Sequence, residues 1–255
     1  MSDFRKIGEL VGSGLPLPTD ANWMRLWEER GSSVRAVLGE TVDPGVVHSF
    51  SWRDFILPGA CAMTFKCLSN TQDCWLYMTL GLSQPLQPAG GSFPWEFVVR
   101  TAPHAEWPVD LLYQLLTQWL LEKGDMGFGY HLPLKFFIGH DGLLWASISE
   151  RVQHCEVVGA IRGLHIWTDS SRLRFKTSSD NFGLLTIVGV TEDEDKLADL
   201  TTPAHLMLLL RRMGVGQICD PYRRSVLSMP GAEDQWRRIR NMSHEDAFEE
   251  LQNSD

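Results

Sequence analysis

No C-x-x-C pair, no surplus of positive charge and no long apolar run occurs in this sequence. Each absence excludes something. Five cysteines, an odd number with no paired spacing, argue against a disulfide framework and a zinc ribbon, so a reduced, cytoplasmic protein is the simplest expectation. A net charge of -9 argues against a nucleic-acid binder, which needs a basic face. Apolar runs stop far short of the about 18 residues that mark a membrane span. The start, MSDFRKIGEL, has no apolar core of a secretory signal, so none is expected. Repeats and low-complexity tracts are also missing.

Catalytic signatures are equally scarce. There is no G-x-S-x-G elbow, and Gly12-Ser13-Gly14 sits in a loop with no helix directly after it. The glycine-rich stretch Gly124 to Gly129 lacks Lys and does not lead from a strand into a helix, so it reads as a flexible helix exit and not as a phosphate loop. His131 and His140 flank a hairpin, and His154 adjoins Cys155, but neither pair has the tight spacing of a metal site. No metal, no cofactor and no catalytic residue is therefore expected.

What the chain does have is enough length and apolar content to bury a sizeable core: 255 residues, 44% hydrophobic. Its clearest periodic stretch is Trp107 to Lys123, WPVDLLYQLLTQWLLEK. Polar residues form a narrow stripe at Asp110, Gln114, Thr117, Gln118 and Glu122, which predicts a largely buried helix. Pro108 suits the first turn, Asp110 complements the dipole, and Gly124 supplies the stop.

Before it, a short helix carrying Trp23, Leu26 and Trp27 is expected to end at Gly31. Strands are expected at Ser49 to Leu57, stopped by Pro58-Gly59, then at Cys61 to Leu68, Cys74 to Leu82 and Trp95 to Thr101. Short loops between them favour antiparallel neighbours. After the helix come short strands at Leu134 to Ile138 and Leu143 to Ile148, weaker ones at Val152 to Ile161 and Leu164 to Trp167, and a strong, central one at Phe182 to Val190. Thr191 with Glu194 has capping-box spacing and opens an acidic helix start. A helix from Pro203 to Gly214 and two terminal ones, Ala232 to Arg240 and Glu245 to Gln252, complete the chain. The fold class is α+β, a mixed and mostly antiparallel sheet packed on a long central helix and C-terminal helices.

Several segments in order resemble the suppressor of fused domain: WLYMTLGLS (Trp75 to Ser83), WEFVVR (Trp95 to Arg100), WPVDLLYQLLTQWL (Trp107 to Leu120), SERVQH (Ser149 to His154) and FGLLTIVGVTEDE (Phe182 to Glu194). The resemblance divides the chain into a helical extension and linker (1–49), the domain (50–214) and a C-terminal strand and helical tail (215–255). It implies a non-enzymatic protein-binding domain. Compact members of this kind resemble bacterial ones, some of which act as immunity proteins against a cognate toxin. It also implies a partner groove beside the central helix. On that basis the partner-binding positions are Trp119 and Glu122 on the helix and Phe128, Tyr130 and His131 in the loop after it. The family has an acid directly before the loop histidine. Here Tyr130 stands there, so a different ligand is expected. A small hydrolase or metal-dependent enzyme on the same scaffold, or a structural module, are the alternatives. Most of Trp75, Trp95, Trp107 and Trp119 read as core, with Trp119 close enough to the polar stripe to touch a partner. The acidic runs Glu192 to Asp195 and Glu245 to Glu250 read as solvated helix starts, with complementarity to a basic partner as the alternative.

Overall fold

The computed structural model describes residues 21–39, 48–52, 55–67, 74–83, 94–105, 107–109, 111–112, 115–116, 127–133, 161–169 and 172–253. Apolar runs of period two, or unbroken ones, become strands: β1 (His48–Trp52), β2 (Phe55–Cys67), β3 (Cys74–Leu80), β4 (Trp95–Thr101), β5 (His131–Pro133), β6 (Ile161–Thr168), β7 (Arg174–Lys176) and β8 (Asn181–Thr191). They form one mixed sheet in the order β1-β2-β3-β4-β8-β6-β5, with β7 paired to the start of β8. Among the described strands, only β4 and β8 pair in parallel; the other pairs are antiparallel. The chain is therefore α+β with a mostly antiparallel sheet, as its pattern predicts. β3 and β8 are buried almost throughout, which explains their unbroken apolar sequences.

Residues 107–109, 111–112 and 115–116 are helical and are the described part of the expected central helix. Leu112, Leu115 and Leu116 are fully buried there, in a cluster with Tyr77, Phe97, Leu164, Ile166 and Ile187 from one sheet face. Burial of each such side chain contributes about 2 kcal/mol on a transfer scale. The opposite face is covered in two parts. Over β2–β4 and β7 lies α1 (Ala21–Leu38), through Val34 and Trp27. Over β6 and β8 lie α2 (Glu192–Leu200) and α3 (Pro203–Arg212), backed by α4 (Ala232–Ile239) and α5 (His244–Asn253). No helix among the described residues is long and apolar enough to cross a membrane.

Two expected boundaries are corrected. Pro58-Gly59 does not stop a strand, because β2 runs through it. The β1–β2 register shifts between Ser49 and Ser51, so the Pro-Gly pair falls within a bulge of β2, where a missing ladder donor is tolerated. The first helix does not end at Gly31. A glycine inside a helix costs only about 1 kcal/mol, and α1 gains more by burying Val34 past it. It ends at Gly39, whose φ of +86° supplies the left-handed stop. The buried Arg30 explains why the helix docks. Its guanidinium bonds Ser83 Oγ and O at 3.1 and 2.7 Å and Asp180 at 2.7 Å.

The expected helix start at Thr191 forms as read. The Thr191 amide donates to Glu194 Oε2 at 2.9 Å, closing the capping box. The strands expected at 134–138 and 143–148, and most of 152–161, lie outside the described residues, as do His140 and His154-Cys155. Cys74 and Cys219 are buried.

Candidate functional site

The loop after the central helix is zipped to β6. The Gly129 amide donates to Ile166 O, and the Ile166 amide donates to Tyr130 O, both at 2.9 Å. The ladder continues into β5, where His131 pairs with His165 and Leu132 with Leu164. Alternation along β6 then sorts its side chains. Leu164 and Ile166 point into the core under the central helix, and His165 and Trp167 point to the face carrying α2, α3 and α5. Directly opposite positions on an antiparallel pair share a face. His131 therefore stacks on His165, with ring centroids 4.5 Å apart and planes 14° from parallel.

The third member comes from the first turn of α2. Asp195 Oδ1 lies 2.8 Å from His131 Nε2 and 3.2 Å from His165 Nε2. Gly163, one step along the same face of β6, makes room for it: a Cβ there would stand 2.8 Å from that oxygen. Burial pushes the Asp195 carboxyl up. The His165 hydrogen bond and the neighbouring charge of the two histidines outweigh it and hold the group below the usual carboxylate range. Burial, then the adjacent His165, push His131 below the usual imidazole range, against the pull of Asp195. At neutral pH the cluster therefore offers a carboxylate and an uncharged His131 ring. The three donor atoms lie within 4.8 Å of one another, so these residues could hold a metal ion.

On the same face, Phe128 packs on Trp167 and Phe248 at centroid distances of 4.6 and 5.7 Å. Phe128 is 47% exposed, one of five exposed large hydrophobic residues among those described. Beside this aromatic trio opens a cavity of about 570 Å³ between the sheet, α3 and α5. Trp95, Trp167 and Phe248 line it, with Arg172, Arg174 and Arg211 among the polar groups. Arg174 lies over the Trp95 ring at 4.2 Å, a cation–π contact that holds a positive charge at the wall. The one lining acid, Asp169, is buried against Arg100.

No family model matches the sequence, and no curated protein does. The fold, in contrast, has solved counterparts. A chain of the Sufu–Fu complex superposes with a TM-score of 0.58 at 14% identity, covering 87% of this chain and 98% of that one. The chain has a suppressor of fused-like fold. Suppressor of Fused from Drosophila aligns with a TM-score of 0.55 at 14% identity, over 84% of this chain and 53% of its own. A putative suppressor of fused homologue from Neisseria gonorrhoeae FA 1090 aligns with a TM-score of 0.55 at 13% identity, over 81% of this chain and 99% of its own.

Of the five sequence-predicted positions, two belong to the histidine–aspartate cluster and the aromatic patch. Phe128 and His131 lie along one face of β6, and Tyr130 packs against the core on the other side. Trp119 and Glu122 lie outside the described residues. Trp75, Trp95 and Trp107 are half-buried against the core, as read, and Trp95 doubles as a cavity wall. Sequence reasoning missed His165, Asp195, Trp167, Phe248 and the three arginines. The signal for His165 and Trp167 was present in the alternation of I-R-G-L-H-I-W-T. Asp195 was hidden in an acidic run whose helix-start role already accounted for it.

Proposed function

We propose that this chain is a non-enzymatic protein-interaction domain. It takes an extended partner segment against the Phe128–Trp167–Phe248 patch and into the cavity beside it. The observation that carries this is the exposed Phe128 ring on an aromatic wall, next to a cavity of about 570 Å³ with arginines at its edge. Aromatic anchors surrounded by fixed polar groups are what binding hot spots are made of. The fit is to a segment with one large apolar side chain and a carboxylate for Arg174 or Arg211. A fold neighbour known as a complex, Sufu–Fu, supports a protein as the partner.

Selection from a displayed random-peptide library, followed by binding to Phe128→Asp and Arg174→Glu variants, tests the reading. Selected peptides should share an aromatic-plus-acid pattern and lose binding to both variants. Peptides that bind both variants as well as the parent chain would sink it. The narrower form of the reading is occlusion of a cognate toxin, in a reduced, cytoplasmic setting. The net charge of -9 supports it through faster encounter with a basic toxin domain, and rescue of cell growth on co-expression is its test. One observation favours a rival reading, a metal-dependent enzyme: the His131–His165–Asp195 cluster. Turnover that vanishes in His131→Ala would replace the binding domain with that enzyme.

A further inference from the structure

We propose that His131, His165 and Asp195 form a binding site for one divalent transition-metal ion. The proposal rests on donor chemistry and geometry and does not depend on the partner groove. Two imidazole nitrogens and one carboxylate oxygen are a ligand set suited to zinc and to its first-row neighbours. Each comes from a different rigid element: β5, β6 and the first turn of α2.

Four observations set this cluster apart from a chance contact. The two Nε2 atoms lie 2.8 and 3.2 Å from the same carboxylate oxygen. Ligands about 2.1 Å from a tetrahedral ion stand about 3.4 Å apart, so the cluster is already near that size. At His131 the 2.8 Å separation is not an in-line hydrogen bond, and Nε2 is buried without a hydrogen-bond partner. An unsatisfied buried nitrogen calls for an explanation, and an ion is one. His165 is 2% exposed, and its Nδ1 is also buried without a partner, so the ring is held by packing and by Asp195. Finally, Gly163 leaves the space that the carboxylate occupies, and any larger residue would fill it.

The stacked rings lie in nearly parallel planes. Converging on one ion requires a turn about χ2, a soft torsion in histidine. His131, on the edge strand and 26% exposed, is the ring free to turn. Three protein ligands leave one position of a tetrahedral shell open on that exposed side, for water or for a partner's side chain.

The test uses the full chain, stripped with a chelator and titrated with Zn²⁺ by calorimetry and with Co²⁺ by visible absorption. The expected result is one ion per chain, with the intense ligand-field bands of a tetrahedral Co²⁺ site. His131→Ala and Asp195→Asn should each weaken binding about a hundredfold or more. Gly163→Ala should weaken it by displacing the carboxylate, and His104→Ala, at an exposed histidine elsewhere, should leave it unchanged. Circular dichroism checks that the variants fold, and His131→Ala removes only a partly exposed edge-strand side chain. As a second measurement, Zn²⁺ should raise the melting temperature of the parent chain and not of Asp195→Asn. No stoichiometric uptake by the parent chain, or uptake unchanged in both ligand variants, overturns the proposal. Neither result bears on peptide binding at Phe128, so this site and the partner groove fail separately.

Discussion

Glu194 and Glu192 lie two residues apart in one acidic run, yet their removal should differ several-fold in effect. Glu194 is fully buried. It accepts from Arg223 Nη1 and Nη2 at 2.6 and 2.5 Å, from the Val226 amide at 2.7 Å and from the Thr191 amide at 2.9 Å. The Arg223 guanidinium is nearly buried and also donates to Gly189 O at 2.9 Å. Glu194→Ala would strand that guanidinium, at about 3–5 kcal/mol. It would also orphan two amides, at about 1–3 kcal/mol each before any water enters. A loss of about 5 kcal/mol is a large share of the about 5–15 kcal/mol that folds a domain. Glu192 pairs with Lys196 at 2.6 Å, but both side chains are 68% exposed, so Glu192→Ala should leave stability nearly unchanged. Equilibrium urea unfolding of both variants measures the difference. If Glu194→Ala does not fold, Glu194→Gln keeps the shape and one acceptor and should lose about 3 kcal/mol. The double variant Glu194→Gln/Arg223→Met should recover part of that loss, since no charge is then left buried. Equal losses for Glu194→Gln and Glu192→Ala, to within half of the about 1 kcal/mol typical of a substitution, would refute the reasoning.

Further outcomes are expected elsewhere. Burial pushes the Cys219 thiol up to about 12, so native protein at pH 8 should resist alkylation there and react only once unfolded. Because the folded value lies above the unfolded one, Cys219 adds stability in full below about pH 9 and loses it as pH rises toward 12; a Cys219→Ala chain should lack that alkaline slope of about 1.4 kcal/mol per pH unit in a urea titration. Gly189→Ala would place a methyl 2.6 Å from Ile161 Cδ1 and 2.7 Å from Cys219 Sγ, and thermal unfolding should show the overpacking as a loss of about 1–3 kcal/mol. Phe128→Ala, at a ring 47% exposed, should cost only about 1 kcal/mol of stability while lowering affinity for a selected peptide by about 2 kcal/mol or more.

Local rules were strong where one segment decides its own structure. The unbroken runs of β3 and β8 and the capping box at Thr191 follow from period, burial and terminal chemistry, and the last helix is closed in a similar way, with Ser243 Oγ accepting from the Asp246 amide at 3.0 Å. They were weak where a distant segment decides. Nothing in Trp95 to Thr101 says that β4 runs parallel to β8 on one edge and antiparallel to β3 on the other. Pro58-Gly59 is a stop in isolation and a bulge once β1 lies beside it. Gly31 is a stop in isolation and an interior position once Val34 and Leu38 meet the sheet. Glu194 was legible as a cap, but its partner Arg223 was not, because that pairing crosses from α2 to the segment after α3.

The candidate site shows the same division, and it explains why the loop residues could be picked and their partners could not. Phe128 and His131 could be picked because the resemblance implies a partner groove at the loop after the central helix. Their meaning comes from β6, whose Gly163, His165 and Trp167 share one face in steps of two. Each odd-numbered position in that row meets one part of the site. Gly163 lies under the Asp195 carboxylate, His165 pairs with His131, and Trp167 carries Phe128 and the cavity wall. A strand holds neighbours of this kind about 6.6 Å apart with little freedom to adjust. The histidine–aspartate cluster and the aromatic patch are therefore fixed at adjacent stations of one strand. A partner segment lying along the edge at β5, with its side chain against Phe128, would pass the open side of His131. An ion held there could take its fourth ligand from that segment, which would make peptide affinity depend on metal. Measuring selected peptides with and without Zn²⁺ separates the two cases: a gain lost in Asp195→Asn couples the stations, and equal affinities in all conditions leave them independent.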